Sequence, residues 1–367
     1  MRERGPMTVA AFMDLALYDP KLGYYARAAR RSGRAGDFFT SVDVGPLFGQ
    51  LIEIQIAEMF QRLQTSDFRL QSFDLVEAGA GNGRLAADVL RAARERDPDL
   101  YGAVRLHLVE ESAEARADQR ETLGDVIDRL ASSEATLPSS FEGVLVANEL
   151  LDAIPVHQVI MREDGLREVY VTGLATGDWR LATIEGPVST PRLTEYLEAL
   201  AVRLEPGWRA EINLRAVEWI RDAARRLRRG FMILIDYGHE ARELYSASHS
   251  SGTLTTFCGH RSEGADRPSP SWLQNPGRQD VTAHVDFTSV RAAAEAEGMR
   301  TIGFLDQTYF VMGLLPSLAN PQSAIRNPQL KTLMLPGGLG STHKVLILGK
   351  GVGTPALAGC SYRIRVT

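Results

Sequence analysis

The sequence predicts an α/β fold: a parallel sheet with helices on both faces, a helical N-terminal cap and an inserted α+β subdomain. Three observations predict it. From about residue 73, short apolar runs alternate with helical stretches, a βαβ rhythm that implies a parallel sheet. A glycine-rich turn, Glu77-Ala-Gly79-Ala-Gly81-Asn-Gly83, follows the first apolar run. The rhythm then breaks over 153–229 and resumes at Phe231, as an insertion between sheet strands would make it do.

The elements follow in order. Residues 1–72 read as the helical cap: Thr8 caps a helix starting at Val9, a glycine-punctuated loop covers Arg31–Gly36, and Leu47, Leu51, Ile54, Ala57, Glu58 and Leu63 recur at helical spacing. Residues 73–152 form the first part of the core. Its strands are Asp74–Glu77, Arg105–Glu110 and Gly143–Ala147, and its helices Leu85–Arg96 and Ser112–Arg120. Residues 153–229 form the insertion, expected as a substrate lid, with a hairpin around Glu163-Asp-Gly165 and a mostly helical stretch from Pro187 to Arg229. Residues 230–367 complete the core with the strands Phe231–Asp236 and His343–Leu348. They carry a long loop near 240–287, whose stretch Gly259–Asp280, rich in Ser, Pro, Gly and charge, is expected to be exposed. The chain has no internal repeats.

Composition excludes several classes. With 44% apolar and 24% charged residues in 367, the chain is not disordered. The formal charge of −5 provides no basic footprint for nucleic acid. No apolar run approaches the roughly 18 residues of a membrane span. The 2 cysteines, Cys258 and Cys360, cannot build a disulfide framework or a cysteine-rich metal site, so a reducing compartment is expected. The N-terminus lacks an apolar signal core. Of 41 basic residues only Lys21, Lys331, Lys344 and Lys350 are lysines, an arginine bias that points to a GC-rich genome and a bacterial cytoplasmic protein.

The glycine turn carries the sharpest chemistry. Glycine removes the Cβ that would block close backbone approach by a nucleotide-type ligand. A dinucleotide fingerprint would need glycine at position 84, where Arg84 stands. The E-x-G-x-G-x-G spacing is instead similar to that of S-adenosylmethionine (SAM)-dependent methyltransferases, whose acid before the turn lies near the cofactor's ammonium. Glu110 ends the next strand, where such folds use a carboxylate to accept the two ribose hydroxyls. Without a ligand, the same residues would read as an ordinary strand–helix turn and a solvated acid.

Longer motifs point the same way. They are Tyr18-Asp-Pro-Lys-Leu-Gly-Tyr-Tyr25, Gly36-Asp-Phe-Phe-Thr-Ser41, Ala147-Asn-Glu-Leu-Leu-Asp-Ala-Ile-Pro155, Asp236-Tyr-Gly-His239, Gly252-Thr-Leu254 and Asp280-Val-Thr-Ala-His-Val-Asp-Phe287. Over nearly its whole length the sequence resembles the MidA-like SAM-dependent methyltransferases, a family that includes a mitochondrial complex I assembly factor methylating a protein arginine. It departs from the family at Thr40-Ser-Val-Asp43, at the proline- and arginine-free glycine turn, and at Gly252-Thr-Leu-Thr-Thr-Phe257. The resemblance implies a Rossmann-like SAM-methyltransferase sandwich with SAM as cofactor. It also implies that the loop carrying Asp37, Thr40 and Ser41 closes over the cofactor's methionine end; the alternative is a cap for the helix near Pro46. The expected cofactor-binding set is thus Asp37, Thr40, Ser41, Glu77, Gly79, Gly81, Gly83, Glu110 and Asn148.

Asn148, Glu149 and Asp152 follow a buried strand, and ligands in open α/β sheets bind beyond the carboxyl ends of strands. Glu149 and Asp152 are therefore the expected catalytic carboxylates, with His284 as a competing base; a helix N-terminal charge is the plain alternative for either acid. His239, His260 and His284, with Asp236, Asp280 and Asp286, lack the close spacing of a zinc motif, and no metal is expected. Tyr24, Tyr25, Phe38 and Phe39 serve either a ligand slot or the core. Short arginine runs at 27–34 and 225–229 read as solvated surface. Three functions remain open: a protein arginine N-methyltransferase, a small-molecule O- or N-methyltransferase of specialised metabolism, and a non-catalytic assembly factor. The expected partner is a protein or small-molecule methyl acceptor, with no nucleic acid or membrane, and a homodimer is left as an option.

Overall fold

The computed structural model describes residues 5–27, 40–64, 72–174, 180–258, 261–263, 270–318, 327–335 and 339–362. Two compact units divide the chain. The first comprises Met1–Phe38, Leu151–Trp219 and Gly238–Val290, the second Phe39–Leu150, Ile220–Tyr237 and Arg291–Thr367.

The second unit is built on one large sheet. Its strands lie in the order Arg300–Asp306, His343–Lys350, Leu227–His239, Phe141–Asn148, Phe73–Ala78, Val104–Val109 and Leu130–Glu134. From Leu227–His239 to Leu130–Glu134 all neighbours are parallel, whereas His343–Lys350 runs antiparallel to both of its neighbours. The chain enters at Phe73–Ala78, moves to one edge, then returns to Phe141–Asn148 on the other side. That reversal places a topological switch point between these two strands, where open α/β sheets bind ligands. The central strand Phe73–Ala78 is buried along its whole length, its acids Asp74 and Glu77 included, as expected of a parallel strand covered on both faces.

The helix Pro46–Leu63 begins with proline at its first turn, where no backbone partner is lost. It is buried over most of its circumference, so its polar positions need partners. Gln55 Oε1 accepts Gly359 N at 3.0 Å and a Glu58 carboxylate oxygen accepts Ala358 N at 2.8 Å. Glu53 pairs with Arg96 at 3.2 Å, and burial nonetheless pushes its carboxyl up to about 7.

The first unit carries an antiparallel sheet in the order Met7–Thr8, Gly165–Leu174, His157–Arg162 and Arg209–Ile212, with Arg180–Gly186 also paired to Gly165–Leu174. Thr8 caps the helix Val9–Tyr18, its hydroxyl accepting Ala11 N at 3.1 Å. Val9, Phe12, Met13, Leu17, Tyr24, Val169 and Val171 form its core. Tyr24 thereby takes the core role, while Tyr25 OH donates to Asp280 Oδ1 at 3.0 Å. Phe38 and Phe39 lie outside the described residues.

The helices Val9–Tyr18 and Pro46–Leu63, both expected within 1–72, fall in the first and the second unit respectively. Two expectations are corrected. The stretch 187–229 contains the strand Arg209–Ile212 as well as the helices Arg192–Ala199 and Leu214–Arg226. This strand is polar at two of its four positions and exists through pairing with His157–Arg162. The loop 259–280 is not uniformly exposed: Trp272 and Leu273 are buried, with the Trp272 ring 5.7 Å from Phe12. A large apolar side chain within a polar-rich segment found the core that composition averages hid. Among the described residues no helix is long and apolar enough to cross a membrane.

Candidate functional site

At the switch point the chain leaves Phe73–Ala78 through the glycine turn. Gly79, Gly81 and Gly83 have φ values of 71°, 50° and 82°, all in the left-handed region that side chains resist. The turn is anchored from the neighbouring strand, with Val109 O accepting Gly79 N at 2.9 Å and Ala80 N at 3.1 Å. The surroundings of the three glycines differ. A Cβ at Gly79 would meet Leu150 and one at Gly83 would meet Leu108, each at 3.1 Å. A Cβ at Gly81 would project into open space. Gly79 and Gly83 are thus glycines for packing, and Gly81 leaves a cradle that any side chain would enter.

Two carboxylates flank the cradle. Glu110 Oε2 accepts Gly81 N at 2.9 Å and its Oε1 accepts Ser112 N at 2.8 Å. Each oxygen spends one lone pair on the backbone and keeps another for an incoming donor such as a ribose hydroxyl. Glu77 is buried and accepts Ala86 N at 3.0 Å. Burial, helped by the nearby Glu110 and Asp88 charges and opposed by that hydrogen bond, pushes its carboxyl up to about 8. A cationic group beside it would restore its charge. Gln119 escaped the sequence reading, since nothing local marks it in a charged helix. It is fully buried and donates to Gly81 O at 2.8 Å, while Ser133 Oγ donates to its Oε1 at 2.6 Å.

The next strand along ends in a strained corner. Phe141–Asn148 pairs with Phe73–Ala78 up to Ala147 opposite Ala78, so Asn148 and Glu149 stand level with the glycine turn. Glu149 has φ 52°, a conformation that costs a non-glycine residue energy and that clusters at functional sites. Its Oε1 accepts Ser41 N at 3.2 Å and Asn148 Nδ2 at 3.3 Å, and His343 Nε2 lies 3.6 Å away. Asn148 Oδ1 is buried and accepts no hydrogen bond from the described residues, an exception that marks a place for a ligand donor. Burial opposes a charge on His343, but the Glu149 and Asp236 carboxylates outweigh it and raise its pKa.

The hydroxyls expected on the cofactor loop have structural duties. Thr40 and Asp43 form a reciprocal capping box on the short turn Ser41–Val44, not on the helix at Pro46, whose cap is Gly45. Ser41 is fully buried and its hydroxyl donates to Gln307 Oε1 at 3.1 Å. Arg84, the residue that breaks the dinucleotide pattern, pairs with Asp43 at 2.8 Å and ties this turn to the end of the glycine turn. Asp37 lies outside the described residues.

Asp152 and His284 belong to the first unit, where Asp152 O accepts Ala283 N at 3.1 Å. His284 is packed with His239 and His249 at ring separations of 5.3 and 5.8 Å. Burial, then the proximity of His239 and His249, lowers its pKa to about 4, so it is a neutral imidazole at physiological pH. His260 lies outside the described residues.

The donor set fits SAM. An open cradle at Gly81, spare lone pairs on Glu110, a buried carboxyl at Glu77 and an unsatisfied amide oxygen on Asn148 match a nucleoside carrying an amino-acid tail. A family model described as "Putative S-adenosyl-L-methionine-dependent methyltransferase" matches residues 51–305. The chain is 28% identical to the mitochondrial protein arginine methyltransferase NDUFAF7 of Mus musculus, over 86% of this chain and 72% of the relative. It is 30% identical to the Caenorhabditis elegans homologue of that protein, over 78% of this chain and 68% of the relative. A crystal structure of a Burkholderia thailandensis protein bound to S-adenosyl-homocysteine superposes with a TM-score of 0.85 at 28% identity, covering 100% of this chain and 93% of that one. Fold and likeness together define a Rossmann-like, SAM-dependent methyltransferase. Within that class the chain belongs to the MidA-like methyltransferase family.

Proposed function

We propose that the enzyme transfers the methyl group to a guanidinium nitrogen of an arginine in a protein, with Glu149 holding the acceptor. The observation that carries this reading is the placement of the Glu149 carboxylate. Ser41 N, Asn148 Nδ2 and His343 Nε2 all approach Oε1, which leaves Oε2 for an incoming donor. The names carried by the Mus musculus and Caenorhabditis elegans relatives support the same acceptor class.

Bound at the 77–83 turn, the cofactor supplies a methyl group on a sulfonium, open to in-line attack. The rest falls to this chain. A guanidinium has a pKa above about 12, so it does not arrive deprotonated. Glu149 then works by a charge-assisted hydrogen bond that orients one nitrogen and balances the cation. As the N–C bond forms the S–CH3 bond would break, S-adenosylhomocysteine would leave, and the surplus N–H proton would pass to the Glu149 carboxylate or to water. Holding both reactants in line supplies most of the acceleration, because little covalent chemistry is asked of the protein. Asp152, three residues further on, is proposed as a second carboxylate for the acceptor. His284 would be the base only for a hydroxyl or neutral amine.

Incubating the purified enzyme with methyl-labelled SAM and a cell extract tests the reading. Label is expected in protein, recovered as methylarginine after acid hydrolysis. Label confined to small molecules, or no transfer at all, overturns it.

A further inference from the structure

We propose that His239, His249 and His284 form a binding site for one zinc ion in the first unit, with three imidazole ligands and an open fourth position. A ring nitrogen of each lies within 4.8 Å of one on each of the others. The three rings sit 4.7, 5.3 and 5.8 Å apart, centre to centre. At a Zn–N length of about 2.0–2.1 Å, tetrahedral ligands lie roughly 3.3–3.4 Å from each other. Ligation therefore asks the ring nitrogens to converge by up to roughly 1.5 Å, within side-chain torsional freedom.

The scaffold behind the rings is built to hold them. His239 ends the strand Leu227–His239 and is in parallel register with Asp286, which brings the 284 segment beside it. His249 ends the short turn Ala247–His249. Glu243 lies beside two of the rings, its Oε1 3.0 Å from His239 Nδ1 in ion-pair range and its backbone carbonyl oxygen 3.0 Å from His249 Nδ1. Carboxylates and carbonyls beside metal-ligating histidines characteristically orient the rings. Under His284, its backbone N donates to Thr253 Oγ1 at 3.1 Å, and that hydroxyl donates to the buried Glu211 carboxylate at 3.0 Å. Gln158 Nε2 fixes the other Glu211 oxygen at 2.9 Å.

The chemistry of the ligands selects the ion. Three imidazoles with no thiolate suit zinc, copper, nickel or iron better than magnesium or calcium. Zinc, with no geometric preference of its own, best tolerates a tripod drawn from three separate segments. With three protein ligands the fourth position would take water, as in open zinc sites.

The full-length enzyme, stripped with a chelator, is titrated with Zn²⁺ by calorimetry and with Co²⁺ by visible absorption. One ion per chain is expected, with the intense visible bands of a four-coordinate Co²⁺ site that Zn²⁺ then bleaches. His249→Ala removes a ligand from a partly exposed turn and should weaken Zn²⁺ binding at least about tenfold, with Glu243→Gln weakening it less. SAM binding, measured on the same variants, separates a failure of this site from a failure of the fold. No stoichiometric binding, a weak six-coordinate Co²⁺ spectrum, or equal affinity in wild type and His249→Ala overturns the proposal.

Discussion

Substituting Glu77 by glutamine keeps the side chain's shape and its bond from Ala86 N, and removes only the ability to ionise. In the folded enzyme burial holds the Glu77 carboxyl at about 8, against 4.5 for an ordinary glutamate. Between those two values the folded chain keeps a proton that the unfolded chain gives up. Stability is then fully present below about 4.5 and lost as pH rises through about 8. At about 1.36 kcal/mol per pH unit, that window sets a ceiling of about 5 kcal/mol. Glu77→Gln escapes the loss, so its advantage over wild type should widen from about pH 5 and level off above about pH 8. Denaturant midpoints followed by circular dichroism across this range measure it. The same proton reports on the cofactor: a cationic amino group beside Glu77 favours the carboxylate, so SAM binding near neutral pH should release close to one proton. Calorimetry in two buffers of different ionisation enthalpy counts it, and Glu77→Gln should release none. A stability gap that stays constant with pH refutes the raised pKa. Equal proton release from both proteins refutes the pairing with the cofactor.

Gly81→Val should abolish SAM binding, because it forces a branched side chain into φ 50° and into the open cradle; calorimetry on the folded variant decides. Glu110→Ala removes a charged acceptor worth about 1.5–3 kcal/mol and should weaken SAM roughly ten- to hundredfold, whereas a change under about twofold returns Glu110 to a purely structural role. Glu149→Gln should leave SAM affinity nearly intact, lower methyl transfer at least roughly tenfold, and drop the His343 pKa, read from its imidazole proton shifts by NMR. Asp152→Asn is measured beside it, and wild-type rates from both variants would remove the carboxylates from the chemistry.

Much of this was legible in the sequence because it is encoded within short windows. The glycine turn declares itself by residue type, since three left-handed positions within five residues admit little else. The central strands announce themselves as apolar runs, and Thr8 as a cap ahead of a helical pattern. What needed the fold is what depends on distant segments meeting. Arg209–Ile212 and Leu130–Glu134 are strands because a neighbour offers a pairing edge, not because their residues insist on it. Gln307 and His343 reach Ser41 and Glu149 across some 200 to 270 residues of chain, without local motif. The division of labour among Gly79, Gly81 and Gly83 emerges only once Leu150 and Leu108 are packed beside two of them. The three histidines are 10 and 35 residues apart, a spacing that resembles no metal motif, and they meet because His239 and Asp286 share a register. Backbone conformation and periodicity are local properties that a sequence carries openly, whereas the convergence of side chains is created by chain pairing, and only the folded chain decides it.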